Sequence, residues 1–304
     1  MKKSLIALAV LAASGAAMAQ SNVTLYGVAD VVIHKDKGVS ATMTSGGVST
    51  SRLGLKGSED LGGGLNVNFK FEQGLNLTNG ALNGNGFDRE AWVGLSGGFG
   101  EVQVGNTYSA LDNVSAASDP TFDSNVIDPT NIFYSRAYAF SPTSNILYIS
   151  PSFGGFQGYV SYSLPSSTKV VSFGASYANG PVAVAVGYQD DSDRGGDKYT
   201  SLNGSYDFGM AKLLAGWGST KFGDDKEYFI GVDVPVASNV VVSAGYAVSK
   251  PAAGDSAKSL GIAAAYMLSK RTTAYVGYRN DNAAAVLNNG GVDSRIGVGL
   301  KHTF

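Results

Sequence analysis

The chain of 304 residues carries 24 acidic and 22 basic side chains, no cysteine, 41 glycines and only 8 prolines, for a formal net charge of −2. That balance offers no basic stripe for nucleic acid, and the missing cysteines exclude a disulfide framework. Plentiful glycine suits tight turns and close strand packing, while scarce proline leaves backbone ladders uninterrupted, so the composition leans to an all-β chain.

The chain opens with MKKSLIALAVLAASGAAMAQ: two lysines, an apolar run from Leu5 to Ala13, then Ala17-Met18-Ala19. A basic start, a short apolar run and an A-x-A site are the layout of a secretory signal peptide, here residues 1–19, and the apolar run is too short to cross a bilayer as a helix. Cleavage would remove Lys2 and Lys3 and no acid, taking the charge from −2 to −4. The mature chain, 20–304, is expected to form one domain outside the cytoplasm.

Downstream, alternation and turn residues predict sixteen strands near 22–33, 49–57, 65–73, 88–96, 100–108, 145–151, 156–164, 168–178, 181–190, 197–208, 210–220, 226–236, 239–249, 257–268, 271–281 and 293–304. The stretch SRLGLKGSEDLGGGLNVNFKFE at 51–72 shows the pattern. Leu53, Leu55, Val67, Phe69 and Phe71 share one face, and Arg52, Lys56, Asn68, Lys70 and Glu72 take the other. In a soluble sheet the apolar face would meet a core; in a transmembrane barrel it meets lipid and the charged face lines a lumen. The hairpin alone does not choose.

The connections choose. Short links (SEDLGGG, SGGFG, SFGG, Asn179-Gly180, Gly209, 237–239 and 269–271) alternate with a second class that is mostly longer and polar: 34–48, 74–87, 109–144, 165–167, 191–196, 221–225, 250–256 and 282–292. Short turns at one end and long loops at the other belong to outer-membrane barrels. Val182, Val184, Val186 and Tyr188 form one apolar face, as do Val240 to Val248 and Leu260 to Leu268 in alternation. Their opposite faces carry Ala183, Gly187, Gln189, Ser243, Gly245, Ser259 and Gly261, side chains so small that a protein core against them would be full of voids, so a water-filled lumen is expected there. Tyr177, Tyr188, Tyr206, Phe208, Tyr246, Tyr266 and Tyr278 near strand ends predict two aromatic belts. The final strand, DSRIGVGLKHTF, keeps Ile296, Val298, Leu300 and Phe304 on one face up to the last residue. The fold class is therefore an all-β, sixteen-stranded antiparallel transmembrane barrel.

Several segments together resemble the general porins of β-proteobacterial outer membranes: VTLYGVAD at 23–30, TSRLGLKGSEDLGGGL at 50–65, WVGLSGGFGEVQVG at 92–105, ISPSFGGF at 149–156, LSKRT at 268–272 and the ending GLKHTF. The resemblance spans the mature chain. It implies a trimeric outer-membrane channel of a Gram-negative bacterium, passing small hydrophilic solutes, often anions, through a pore narrowed by an inward-folded third loop. The expected partners are a homotrimer, outer-membrane lipid and lipopolysaccharide, and the solutes themselves. Diffusion calls for no cofactor.

The expected pore-wall cations are Arg52, Arg89, Arg136, Lys56 and Lys70. Arg52 and Arg89 match the family's lumen arginines, although Arg89 shares nominal parity with Ala91 and Val93 and needs a bulge or strand-end twist to look inward. Gln103 and Asn106 stand where relatives often carry basic residues, which argues against strong anion selectivity. The loop 109–144 supplies Asp112, Asp119, Asp123 and Asp128, expected either to face the wall arginines across the constriction or to cap turns within the loop. Gly27, Ala29, Gly54 and Gly57 beside Val23, Leu25, Leu53 and Leu55, together with the family likeness, lead to the expectation that the first strands and the last, near 22–33, 49–73 and 293–304, face neighbouring subunits.

Two histidines, His34 and His302, sit too far from any serine and acid to form a nucleophilic triad, so an enzyme is not expected. The run QDDSDRGGDK at 189–198 fails calcium-loop spacing and reads as a solvated loop; no metal site is expected. Two alternatives stay open: a channel selective for small organic anions or phosphate, and a non-conducting structural or adhesin barrel.

Overall fold

The computed structural model describes residues 22–115, 118–164, 168–288 and 290–304. The segment expected to be a signal peptide, 1–19, and the connection at 165–167 lie outside them. Sixteen strands close an antiparallel barrel: β1 (Asn22–Asp36), β2 (Arg52–Gly62), β3 (Leu65–Asn76), β4 (Glu90–Gly97), β5 (Gly100–Asn106), β6 (Asn145–Ile149), β7 (Phe156–Ser163), β8 (Val171–Asn179), β9 (Val182–Asp190), β10 (Lys198–Asp207), β11 (Lys212–Thr220), β12 (Lys226–Ala237), β13 (Val240–Lys250), β14 (Ala257–Met267), β15 (Thr272–Asp281) and β16 (Ser294–Thr303). Each overlaps its expected segment. Two short loop strands, Thr42–Ser45 and Ala81–Leu82, extend β1 and β3 above the barrel.

Closure is made by β1 on β16, with Val28 opposite Thr303. Phe304 and Gly27 exchange backbone hydrogen bonds, each 3.1 Å, so the terminal strand leaves no free edge there. The alternation sorts as expected for lipid outside. Val184, Val186, Leu260, Ile262, Ile296, Val298 and Leu300 are exposed on the outer face, while Ser161, Ser172, Gln189, Ser243 and Ser259 are buried inside. Tyr246 and Tyr278 lie toward the long loops, and Tyr206, Phe208 and Tyr266 toward the short turns, giving two exposed aromatic belts.

The small inward residues around Gly187, Gly245 and Gly261 do not face water as expected. The loop between β5 and β6 folds into the barrel and packs on them, which fills the voids their size would leave. A Cβ on Gly245 would lie 2.5 Å from Pro120, one on Gly261 would lie 2.6 Å from the Ile127 carbonyl, and one on Gly187 would lie 2.5 Å from Leu111. Around these contacts Leu111, Val114, Ile127 and Ile132 are buried completely. The glycines near the first strands are covered as well. Gly54 faces inward beneath the Tyr26 ring, and Gly27 and Gly57 lie beneath the Phe304 and Phe69 rings. They seat aromatic rings of the same chain.

Candidate functional site

The inward rows of β2 and β3 carry the wall cations because Arg52, Lys56 and Lys70 alternate with lipid-facing Leu53, Leu55, Phe69 and Phe71. Their register places Lys56 directly opposite Lys70, and Glu72 opposite Gly54 and Glu90. Glu72, which sequence reasoning noted only as part of the wet face, is the hub. Its side chain is 3 % exposed. It accepts hydrogen bonds from Tyr26 Oη and Arg89 Nε, both at 2.7 Å, and Arg52 and Lys70 each stand 3.5 Å from Oε2. Lys70 also pairs with buried Glu90, which accepts from Trp92 Nε1 at 3.0 Å. Lys56 has no carboxylate partner among the described residues; its ammonium lies 5.3 Å from the centre of the Tyr26 ring.

Arg89 needs no bulge. It sits one residue before β4, where its N–H still donates to the Glu72 carbonyl at 3.2 Å, and the strand-end bend there turns its guanidinium inward to Glu72 and to Tyr108 Oη. Burial raises the Tyr108 hydroxyl's pKa, so it stays a neutral hydrogen-bond partner.

Arg136 is not a wall residue. It ends a short helical turn, Tyr134–Arg136, inside the long loop and pairs with Asp119, with Asp123 at 3.6 Å. A guanidinium folded in among loop carboxylates satisfies them locally, so the loop carries its own countercharge instead of borrowing it from the wall. The four loop acids then divide. Asp119 has a fully buried side chain against Arg136. Asp128 is fully buried and caps the next turn, accepting from Thr130 N at 2.7 Å and Thr130 Oγ1 at 2.6 Å. Asp112, on the helical turn Asp112–Ser115, accepts from Tyr138 Oη at 3.0 Å. Asp123 alone among the four is more than half exposed, at 54 %. It is presented by three consecutive left-handed residues, Thr121, Phe122 and Asp123, at φ of 49°, 64° and 53°. Such non-glycine backbone costs about 1 kcal/mol or more per residue and persists only where its surroundings hold it.

Those surroundings are polar side chains of the inner wall. Thr121 N donates to Ser243 Oγ at 2.7 Å, Leu111 N to Ser172 Oγ at 2.7 Å, and Ala110 N to Ser161 Oγ at 3.0 Å. Glu227, buried on β12, accepts from Tyr134 N at 2.6 Å and Ser135 N at 3.0 Å, and Asp191 accepts from Ala139 N at 2.7 Å. These anchors escaped sequence reasoning because inward serine and glutamate look the same whether they meet water or a loop. The run at 189–198 is likewise consumed by structure: Asp197 accepts from the backbone of Lys198, Lys221, Phe222 and Gly223.

Wall and loop meet at an open recess of about 370 Å³ lined by Arg89, Tyr108, Asp112, Asp123, Arg136 and Tyr138. Enclosure raises the loop acids: Asp112 to about 6 by burial; Asp128 to about 8 by burial and then the charge of Asp119; and Asp123 to about 7, because its side chain, although 54 % exposed, opens onto a recess inside the barrel where the surrounding protein limits its solvation and Asp119 stands beside it. Oxygens of Asp119, Asp123 and Asp128 lie within 4.8 Å of one another, a spacing that could hold a cation, and the Arg136 guanidinium supplies that positive charge. The arrangement sets opposed charges around an open recess.

The sequence matches the family model described as Gram-negative porin over residues 5–285. It is 35 % identical to outer membrane porin protein 32 of Delftia acidovorans, with both chains covered completely. The fold is similar to a solved structure titled anion-selective porin from Comamonas acidovorans, with a TM-score of 0.79 and 26 % identity, covering 94 % of this chain and 100 % of the other. It is also similar to a trimer-form structure of OmpT, an outer membrane protein of Vibrio cholerae, with a TM-score of 0.71, 15 % identity and coverage of 93 % and 99 %, a likeness of fold alone. With a matching family model over nearly its whole length and a closed sixteen-stranded barrel, this chain belongs to the Gram-negative porin family.

Proposed function

We propose that this outer-membrane porin is a passive diffusion channel for small hydrophilic solutes whose constriction is weakly ion-selective. The observation that carries the weak selectivity is local charge pairing. On the wall, Arg52, Lys70 and Arg89 converge on Glu72 and Glu90; in the loop, Arg136 is surrounded by Asp119, Asp123 and Asp128. Selectivity is set where low-dielectric walls focus the field, and charges neutralised within one hydrogen bond leave little field to focus. Arg52, Arg89 and Lys70 act as the positive wall, Lys56 as an unpaired cation below it, Asp112 and Asp123 as the acids open to the passage, and Asp119 and Asp128 as supports that hold the loop.

The assembly proposed is a homotrimer. Support comes from the trimer-form structure of similar fold and from the exposed apolar rows Val23, Leu25, Leu53, Leu55, Ile296 and Val298 along β1, β2 and β16. The test is reversal potential in a salt gradient across a planar bilayer. A small potential supports the paired-charge reading; a potential near the ideal value for either ion overturns it.

A further inference from the structure

On the outer face of β12, β13 and β14, at the end carrying the long loops, Lys226, Lys250 and Lys258 are all exposed. Each continues a lipid-facing row: Lys226 precedes Tyr228 and Ile230, Lys250 follows Tyr246 and Val248, and Lys258 precedes Leu260 and Ile262. The register sets Lys226 directly opposite Lys250, and Lys258 opposite Val248, diagonal to Lys250. Like charges directly opposite on a sheet repel, so the barrel gains nothing from this placement. By contrast, on the outer face of the same rim Lys198 is opposite Asp190 and bonded to it at 2.6 Å.

The three lysines are barely compensated. Lys226 stands 3.9 Å from Asp224, both more than half exposed, and Asp255 in the next loop pairs with none of them among the described residues. Lys250 lies 5.7 Å above the Tyr228 ring, which steers its ammonium along the barrel surface at the height of the aromatic belt. An apolar band below, a tyrosine at the boundary and three lysines on neighbouring strands above match an amphiphile with acyl chains and closely spaced phosphates at its head.

We propose that Lys226, Lys250 and Lys258 form a docking site for the phosphorylated headgroup of lipopolysaccharide in the outer leaflet. The acyl chains lie along Tyr228, Ile230, Tyr246 and Leu260, and the phosphates bridge the three lysines, which removes the repulsion between Lys226 and Lys250. The site rests on the outer-membrane orientation that places the long loops outside.

The test uses the purified, detergent-solubilised protein and diphosphoryl lipid A, with dephosphorylated lipid A as the second probe, read by native mass spectrometry. The variant Lys226→Gln/Lys250→Gln/Lys258→Gln should bind diphosphoryl lipid A roughly a hundredfold more weakly, about fivefold for each lysine. The wild type should lose about as much on dephosphorylated lipid A, and Lys→Arg at all three positions should retain binding. Single-channel conductance of the glutamine variant should be unchanged, which separates this site from the channel reading. Equal binding of both lipids by the wild type, or unchanged binding by the glutamine variant, overturns the proposal. If the triple variant fails to fold, Lys250→Gln alone should still weaken binding about fivefold, and no change there overturns it too.

Discussion

Replacing Arg136 by glutamine should loosen the loop that narrows the barrel, and should do so in a pH-dependent way. The Asp119 side chain is fully buried and pairs with Arg136, whose own side chain is 26 % exposed. Removing one partner of a buried ion pair costs about 3–5 kcal/mol, and the partial exposure of Arg136 places the value at the lower end, about 3 kcal/mol. The barrel strands do not depend on this pair, so the cost falls on local opening of the loop. A local opening cost lowered by about 3 kcal/mol corresponds to roughly hundredfold faster amide exchange over residues 118–140 at about pH 8. Acidification should rescue it. Asp123 and Asp128 have pKa values raised to about 7 and about 8, so their protons are bound in the folded loop at a pH where free carboxylates have lost theirs. Protonation removes the repulsion that Arg136 otherwise balances, and at about pH 5 the defect should shrink to within about tenfold of wild type. Hydrogen exchange with mass-spectrometric detection on the detergent-solubilised protein measures both limits. A change below about threefold at pH 8, or an equal defect at both pH values, would refute the reasoning that Arg136 holds this loop electrostatically.

Substituting Arg52→Gln together with Arg89→Gln should move the reversal potential toward cation preference, because Glu72 and Glu90 lose countercharge; at molar salt the shift should fade, since the Debye length contracts from about 8 Å to about 3 Å. An unchanged potential at low salt would remove both arginines from the constriction. In the wild type, acidification from about pH 8 to about pH 5 should shift selectivity toward anions, as Asp112, at about 6, and Asp123, at about 7, pass to their neutral forms; a shift of the opposite sign in the same gradient contradicts those assignments. Gly245→Val should raise single-channel conductance, because a Cβ would lie 2.5 Å from Pro120 and displace the loop from its seat. Conductance equal to wild type would show that the loop does not narrow the passage. Native mass spectra in mild detergent should show a trimer, and monomer alone would contradict the proposed assembly.

The barrel was legible because its physics repeats. Period-two alternation with lipid outside constrains every strand separately, and Val184, Tyr246 and Leu260 each point to the same face. Short and long connections then fixed the orientation. The loop was not legible, since its fold is decided by contacts far apart in the chain, such as Thr121 with Ser243 and Ser135 with Glu227. Alternation states that Gly245 points inward; it does not say whether water or Pro120 will meet it. Parity places Arg52 inward, and only the family likeness places Arg89 there against its nominal parity, while Arg136 is misplaced because a charge inside a long loop has no periodic frame to orient it. Glu72 lay in plain view on the wet face. Its importance depends on Arg89 bending back from outside β4, which alternation could not foresee.

The most direct test of the channel itself is single-channel recording from the purified protein in a planar bilayer with a salt gradient. The account predicts discrete insertion steps, a current linear in voltage and not saturating with salt, and a small reversal potential. Absence of conductance from correctly folded barrels, or a current that saturates and is blocked by one class of anion, would contradict it.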